Sequence, residues 1–132
     1  MTTGENVFKA FEILIVDDNI ETLLYMEDIF KNAGYDVTCK ENGEEGLMAV
    51  KTGNFDLILL DIIMQRMNGF EVCKQLKADP NTRDIPVIFL TIMSGPDNIA
   101  KGYKQGAVDY ITKPIIKIQL LTKIISYAQS YR

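Results

Sequence analysis

The chain has no histidine and no tryptophan, only two cysteines, and no run of 18 uncharged residues. Each absence closes a class of function. Without histidine there is no Ser-His-Asp or Cys-His nucleophile system, no imidazole metal ligand, and no histidine that could itself carry a phosphoryl group. Any chemistry must run on carboxylates, hydroxyls and lysines. Cys39 and Cys73 lie 34 positions apart without a second pair, too few for a disulfide framework or a zinc cluster. They read as small buried hydrophobes in a reducing cytoplasm. A basic stripe is missing as well: 14 Lys+Arg stand against 18 Asp+Glu, a net charge of −4, so direct nucleic-acid binding through many phosphate contacts is not expected. Glu5, Lys9 and Glu12 interrupt the first apolar residues, and neither a signal peptide nor a membrane span is expected.

What remains is enough for one core. A chain of 132 residues, 47% of them hydrophobic, reads as a single domain able to hide roughly two thirds of its unfolded surface. Five short apolar runs recur: Ile13 to Val16, Tyr35 to Cys39, Leu57 to Leu60, Val87 to Leu90, and Tyr110-Ile111. They read as strands, and three are continuous rather than alternating, the pattern of parallel strands covered on both faces. Helical spacing fills the gaps at Ile20–Ala33, Glu44–Val50, Phe70–Ala78, Ile99–Gln105 and Ile116–Tyr131, the first of these stopping at Gly34. The expected architecture is α/β, (βα)5, a doubly wound five-stranded parallel sheet with right-handed crossovers and helices on both faces. Residues 1–10 are expected to form a flexible tail and residues 11–132 the domain.

Polar residues follow the strong strands. Asp17-Asp18 follows the first, Asp61 ends the third, Thr91 ends the fourth, and Lys113-Pro114 follows the fifth. The carboxyl edge of an open α/β sheet is where ligands bind, so these positions are predicted to converge. Three carboxylates gathered there repel by about 4 kcal/mol per pair at 4 Å with an effective dielectric near 20, and apolar residues surround Asp61 on both sides. Positive charge is required. A hard divalent ion that keeps exchangeable waters suits the site, Mg²⁺ or Mn²⁺ in its place, and Lys113 adds a second positive charge. With the Thr91 hydroxyl these are parts that stabilise the spread charge of a transferring phosphoryl group. Each residue also has a plainer use. Asp18 or Asn19 suits a helix N-cap, Thr91 a strand, and Lys113-Pro114 the approach to the last helix.

Taken jointly and in order, Ile13-Leu14-Ile15-Val16-Asp17-Asp18-Asn19, Asp61-Ile62-Ile63-Met64-Gln65-Arg66-Met67-Asn68-Gly69, Thr91, and Asp109-Tyr110-Ile111-Thr112-Lys113-Pro114 resemble the receiver domain of two-component response regulators, the CheY-like superfamily. The resemblance runs from about Phe11 to Ser130 and implies the flavodoxin-like strand order 2-1-3-4-5. It implies that Asp61 accepts a phosphoryl group from a histidine kinase or phosphotransfer partner. Asp18 and Asp61 would ligate the metal, Asp17 would assist, and the backbone carbonyl of Ile63 would complete the set. Thr91 and Lys113 would engage the phosphoryl oxygens, and Tyr110 would turn inward as Thr91 moves. The chain would act in the cytoplasm as a switch that catalyses only its own phosphorylation and dephosphorylation. It would stand alone or form part of a larger regulator or hybrid kinase. The alternative is a receiver-like interaction module that has lost phosphorylation.

Two departures stand out. Gln65 replaces the proline usual after Met64, which frees φ and restores an N–H. Ile92 replaces the small residue usual after the threonine and, with apolar Ile63 and Met93, implies a long-lived phosphoryl state. Other metal-assisted readings fit less well. A phosphatase with an aspartyl-phosphate intermediate wants an Asp-x-Asp at the first strand, and adjacent carboxylates would repel a flavin phosphate. In the last helix, Ile116 through Tyr131 place apolar residues over an arc of roughly 200°, about twice what a surface helix needs. Leu120, Ile124, Tyr127 and Tyr131 are therefore expected either to meet a second subunit or following domain, or to reflect a deeply buried helix.

Overall fold

A computed structural model describes residues 10–92 and 96–129 of the chain. Strands β1 (Glu12–Val16), β2 (Asp36–Lys40), β3 (Leu57–Asp61), β4 (Val87–Thr91) and β5 (Asp109–Thr112) alternate with helices α1 (Ile20–Asn32), α2 (Gly43–Thr52), α3 (Gly69–Ala78), α4 (Pro96–Lys104) and α5 (Lys117–Gln129). All pairings are parallel, in the order β2-β1-β3-β4-β5. The expected α/β architecture and strand order are those observed. The expected tail, apart from Ala10, lies outside the described residues, as do Met93 and Tyr131.

The continuous apolar runs explain the layering. β3 and β4 are buried along their whole length, and β1 is buried from Ile13 onward. Alternate side chains feed two cores. Ile13, Ile15, Leu57, Leu59, Ile88 and Leu90 pack under Leu23, Met26 and Phe30 of α1 and Leu120 and Ile124 of α5. Leu14, Val16, Ile58, Leu60, Val87 and Phe89 pack on the opposite face beneath Val50 of α2 and Phe70, Val72, Cys73 and Leu76 of α3.

Local chemistry sets the helix ends. Asn19, Asn42 and Asn68 each accept a backbone N–H from three residues on, at 2.9, 2.8 and 3.0 Å, and Glu71 closes a capping box by accepting the Asn68 N–H at 2.9 Å. Past α1, Gly34 adopts φ +92°, the left-handed turn that stops a helix. α4 starts three residues before the apolar periodicity does, because Pro96 at its first position has no N–H to leave unpaired.

The last helix decides between its two expected roles. Leu120 and Ile124 are 0% exposed and form its core stripe, so they cannot meet a partner. Tyr127 is half-buried and donates its hydroxyl to Asp109 Oδ2 at 3.2 Å. The arc is wide because it includes a second, outward side at Ile118 and Ile125, 71% and 43% exposed. Leu120→Glu should therefore destabilise the fold by about 3 kcal/mol or more, by burying an unpaired charge, while Ile118→Glu should stay within about 0.5 kcal/mol of the parent in urea unfolding.

Candidate functional site

The parallel register assembles the site. Val16 pairs with Leu60, which brings Asp17 alongside Asp61, and Asp61 itself pairs with Leu90. Thr91 pairs with Thr112, one residue short of Lys113. The ladder runs on past the strand ends: Asp17 N–H donates to Lys40 O at 3.1 Å, Ile62 N–H to Leu90 O at 3.2 Å, and Lys113 N–H to Thr91 O at 2.9 Å. Residues nearly a hundred positions apart thus share one edge.

Asp17, Asp61 and Thr91 are buried there, while Asp18 faces solvent. Oxygens of the three carboxylates lie within 4.8 Å of one another. Lys113 Nζ stands 2.8 Å from Asp17 Oδ2 and 3.3 Å from Asp61 Oδ2, bridging the two buried acids. The other oxygen of Asp17 accepts the Asn19 N–H at 2.9 Å, tying the pocket to the first turn of α1. Asn19, not Asp18, is the helix cap, which leaves Asp18 free of that role.

The donor set fits a hard divalent cation. Asp17 Oδ2 is buried and accepts no well-directed hydrogen bond; the ammonium beside it satisfies charge but not direction. Oxygen ligands of one Mg²⁺ sit about 2.1 Å from the ion, hence at most about 4.2 Å from each other, so a small inward movement of these carboxylates would enclose one. Ile63, two residues past Asp61, has a half-exposed side chain that offers no ligand, leaving its carbonyl as its only donor.

Electrostatics put the tension on Asp61. Burial raises its pKa, the neighbouring Asp17 charge raises it further, and Lys113 only partly offsets both, so it is pushed up to about 7. Burial alone would lower Lys113, but contact with Asp17 and then Asp61 holds it above the ordinary lysine range.

Two positioning features escaped the sequence reading. A side chain at Gly69 would overlap the carbonyl of Asp61 and reach 2.8 Å from Ile62 Cα, and Gly69 N–H donates to Ile62 O at 2.8 Å. Only glycine lets the start of α3 close over the end of β3 this tightly. Between them Arg66 takes φ +67° and pairs loosely with Glu44 at 3.7 Å. Gln65, where a proline is usual, has an exposed side chain. Tyr110 is not in the acidic pocket. It lies on the α4 side of the sheet, 8% exposed, with its hydroxyl donating to Ile99 O at 3.0 Å. The inward position expected to follow a movement of Thr91 is already occupied.

Residues 13–125 match the family described as response regulator receiver domain. The chain belongs to that family. This receiver is 38% identical over 120 residues to a probable cyclic di-GMP phosphodiesterase of Vibrio cholerae, covering 91% of this chain and 27% of that protein. It is 37% identical over 112 residues to Protein PilH of Pseudomonas aeruginosa, covering 85% of this chain and 93% of that one. The crystal structure of Vibrio cholerae chemotaxis protein CheY4 superposes with a TM-score of 0.87 at 28% identity, covering 90% of this chain and 99% of that one. The chain thus spans about a quarter of the phosphodiesterase relative and nearly the whole of PilH. Receiver domains of response regulators act in two-component signal transduction with histidine kinases or phosphotransfer proteins. Among the described residues no helix is long and apolar enough to cross a membrane.

The raised pKa of Asp61 has a direction in pH. Above its ordinary value of 3.8 and below about 7, the folded chain keeps a proton that the unfolded chain has lost. Stability therefore falls as pH rises through that window. In chelator-treated protein, chemical unfolding from pH 4 to 8 should show this fall, and Asp61→Asn should flatten it; equal slopes in parent and variant would contradict the assignment. Added Mg²⁺ should stabilise the parent more at pH 8 than at pH 5.

Proposed function

We propose that this receiver takes a phosphoryl group from a partner's phosphohistidine onto Asp61 and acts as a cytoplasmic signalling switch. The observation that carries the reading is a buried carboxylate at the end of β3, 3.3 Å from the Lys113 ammonium and flanked by Asp17 and Asp18. An Asp61 carboxylate oxygen forms the new bond to phosphorus as the phosphorus–nitrogen bond of the donor breaks, and the leaving imidazole takes up a proton. Asp17, Asp18, Asp61 and the Ile63 carbonyl would hold Mg²⁺ or Mn²⁺. Bound there, the ion neutralises carboxylate charge and the charge of the transferring phosphoryl oxygens.

Lys113 supports this reading by where it rests. It now serves as counter-ion to two aspartates, and with a cation bound beside them its ammonium would be available to pair with a phosphoryl oxygen. The Thr91 hydroxyl, at the adjoining strand end, serves as the second donor. Drawing Thr91 and Lys113 toward Asp61 displaces the ends of β4 and β5, and the α4–β5–α5 face is the surface a partner, a second copy or an adjoining domain would read. The chain itself turns over no external metabolite.

Ile92 and Ile63 favour a slow reset. Both are apolar and exposed, 69% and 51%, next to the strand-end Thr91 and two residues past Asp61. Neither can orient a water for attack on an acyl phosphate. The same bulk at Ile92 favours the second reading, an interaction module that no longer takes a phosphoryl group.

Incubation with a small phosphodonor and Mg²⁺ should add one phosphate by intact mass, and Asp61→Asn should abolish the gain; no gain in the parent would select the inert module. The phosphorylated parent should decay over minutes or longer, and Ile92→Ala should shorten that lifetime several-fold. A half-life of seconds in the parent would remove the role given to Ile92 and Ile63.

A further inference from the structure

The feature that the phosphoryl site does not account for lies under α4. Gly102 sits in the last turn of this helix, still at a helical position, where glycine is a poor choice for helix stability. A Cβ built there would overlap the Tyr110 hydroxyl, reach 2.6 Å from Tyr110 Cζ and come within 3.0 Å of Phe89 Cδ2. The phenol therefore fills the volume that any other residue at 102 would claim. From that notch it donates to Ile99 O at 3.0 Å, three residues earlier in the same helix. The ring is held on its sides by Phe89, 5.8 Å between centroids, and by Tyr103, 5.3 Å and edge-on. Lys101, one residue before the notch, lies 4.6 Å over the Phe70 ring and pins α4 to α3.

We propose that Gly102 is a positioning residue that admits Tyr110 beneath α4 and holds it there without any modification of Asp61. The missing Cβ is the device: it exchanges helix propensity for a socket, and the socket fixes the ring in the inward state. The outer face of α4 and β5 then carries Tyr103, 47% exposed, as its aromatic, and Tyr110 contributes nothing to it. A partner of this face meets one fixed arrangement of Tyr110. Any signal from Asp61 must act through the strand ends at Thr91 and Lys113 rather than through insertion of this ring.

The test is tyrosine nitration of the full chain with tetranitromethane, mapped by peptide mass, together with thermal unfolding. In the parent, Tyr25 and Tyr103, each 47% exposed, should react while Tyr110 is protected. Gly102→Ala should make Tyr110 reactive and lower Tm. In a Tyr110→Leu background, where the socket is no longer filled by the phenol, the same Gly102→Ala change should raise Tm, as it does in an ordinary helix interior. Nitration of Tyr110 in the parent, continued protection in Gly102→Ala, or one sign of Tm change in both backgrounds would each overturn the proposal. If Gly102→Ala alone does not fold, recovery of the fold in Gly102→Ala/Tyr110→Leu supports it and failure to recover overturns it.

Discussion

Three central strands buried on both faces govern everything else in this molecule. A strand with helices above and below has no place for a polar side chain along its length, because an unpaired polar group there costs several kcal/mol. Polarity can enter only at the carboxyl ends of the strands or just past them. Val16, Leu60 and Leu90 are the final apolar residues of β1, β3 and β4, and parallel pairing aligns their successors at one edge. The acidic pocket is thus a by-product of register. Shifting β1 by one residue against β3 would separate Asp17 from Asp61 and turn the whole β1 apolar set over.

That edge is an unstable place for negative charge, and the molecule resolves the problem incompletely. Lys113 reaches both buried acids, yet Asp61 remains far from its ordinary acidity. A complete neutralisation would have made a stable salt bridge and an inert site. The residual imbalance would favour a cation there and, under the function proposed above, would let the lysine exchange a carboxylate partner for a phosphoryl one.

Much of this was legible in the sequence, and the reasons are particular. Continuous apolar runs followed at once by Asp17-Asp18, Asp61, Thr91 and Lys113 state both the parallel sheet and the edge at which the residues meet. The cap of the first helix was readable too, since Asp18 or Asn19 suited that place and Asn19 fills it. The inner side of α5 was not: an apolar arc wider than the core contact does not say which part faces inward, and only the packing of Leu120 and Ile124 under β1, β3 and β4 decides it. Nor was the location of Tyr110 legible, because its socket is an absent atom eight residues earlier on another element. The tight return of Gly69 over Asp61 escaped for the same reason. Missing volume leaves no periodicity.

The bond from the Asn19 amide to Asp17 has a wider consequence. The amino end of a helix carries partial positive charge from its unpaired amides, and here that end is tied directly to a buried acid. Asn19 uses its side chain to cap α1 at Thr22 and its main chain to hold Asp17. The helix macrodipole is therefore part of the pocket's charge balance, and the first turn of α1 is part of the pocket's wall. The position of Asp17 and the fraying of α1 are linked, and the proposed cation would enter that linkage: whatever draws Asp17 away loosens the helix start, and whatever melts that turn deprives Asp17 of the Asn19 N–H.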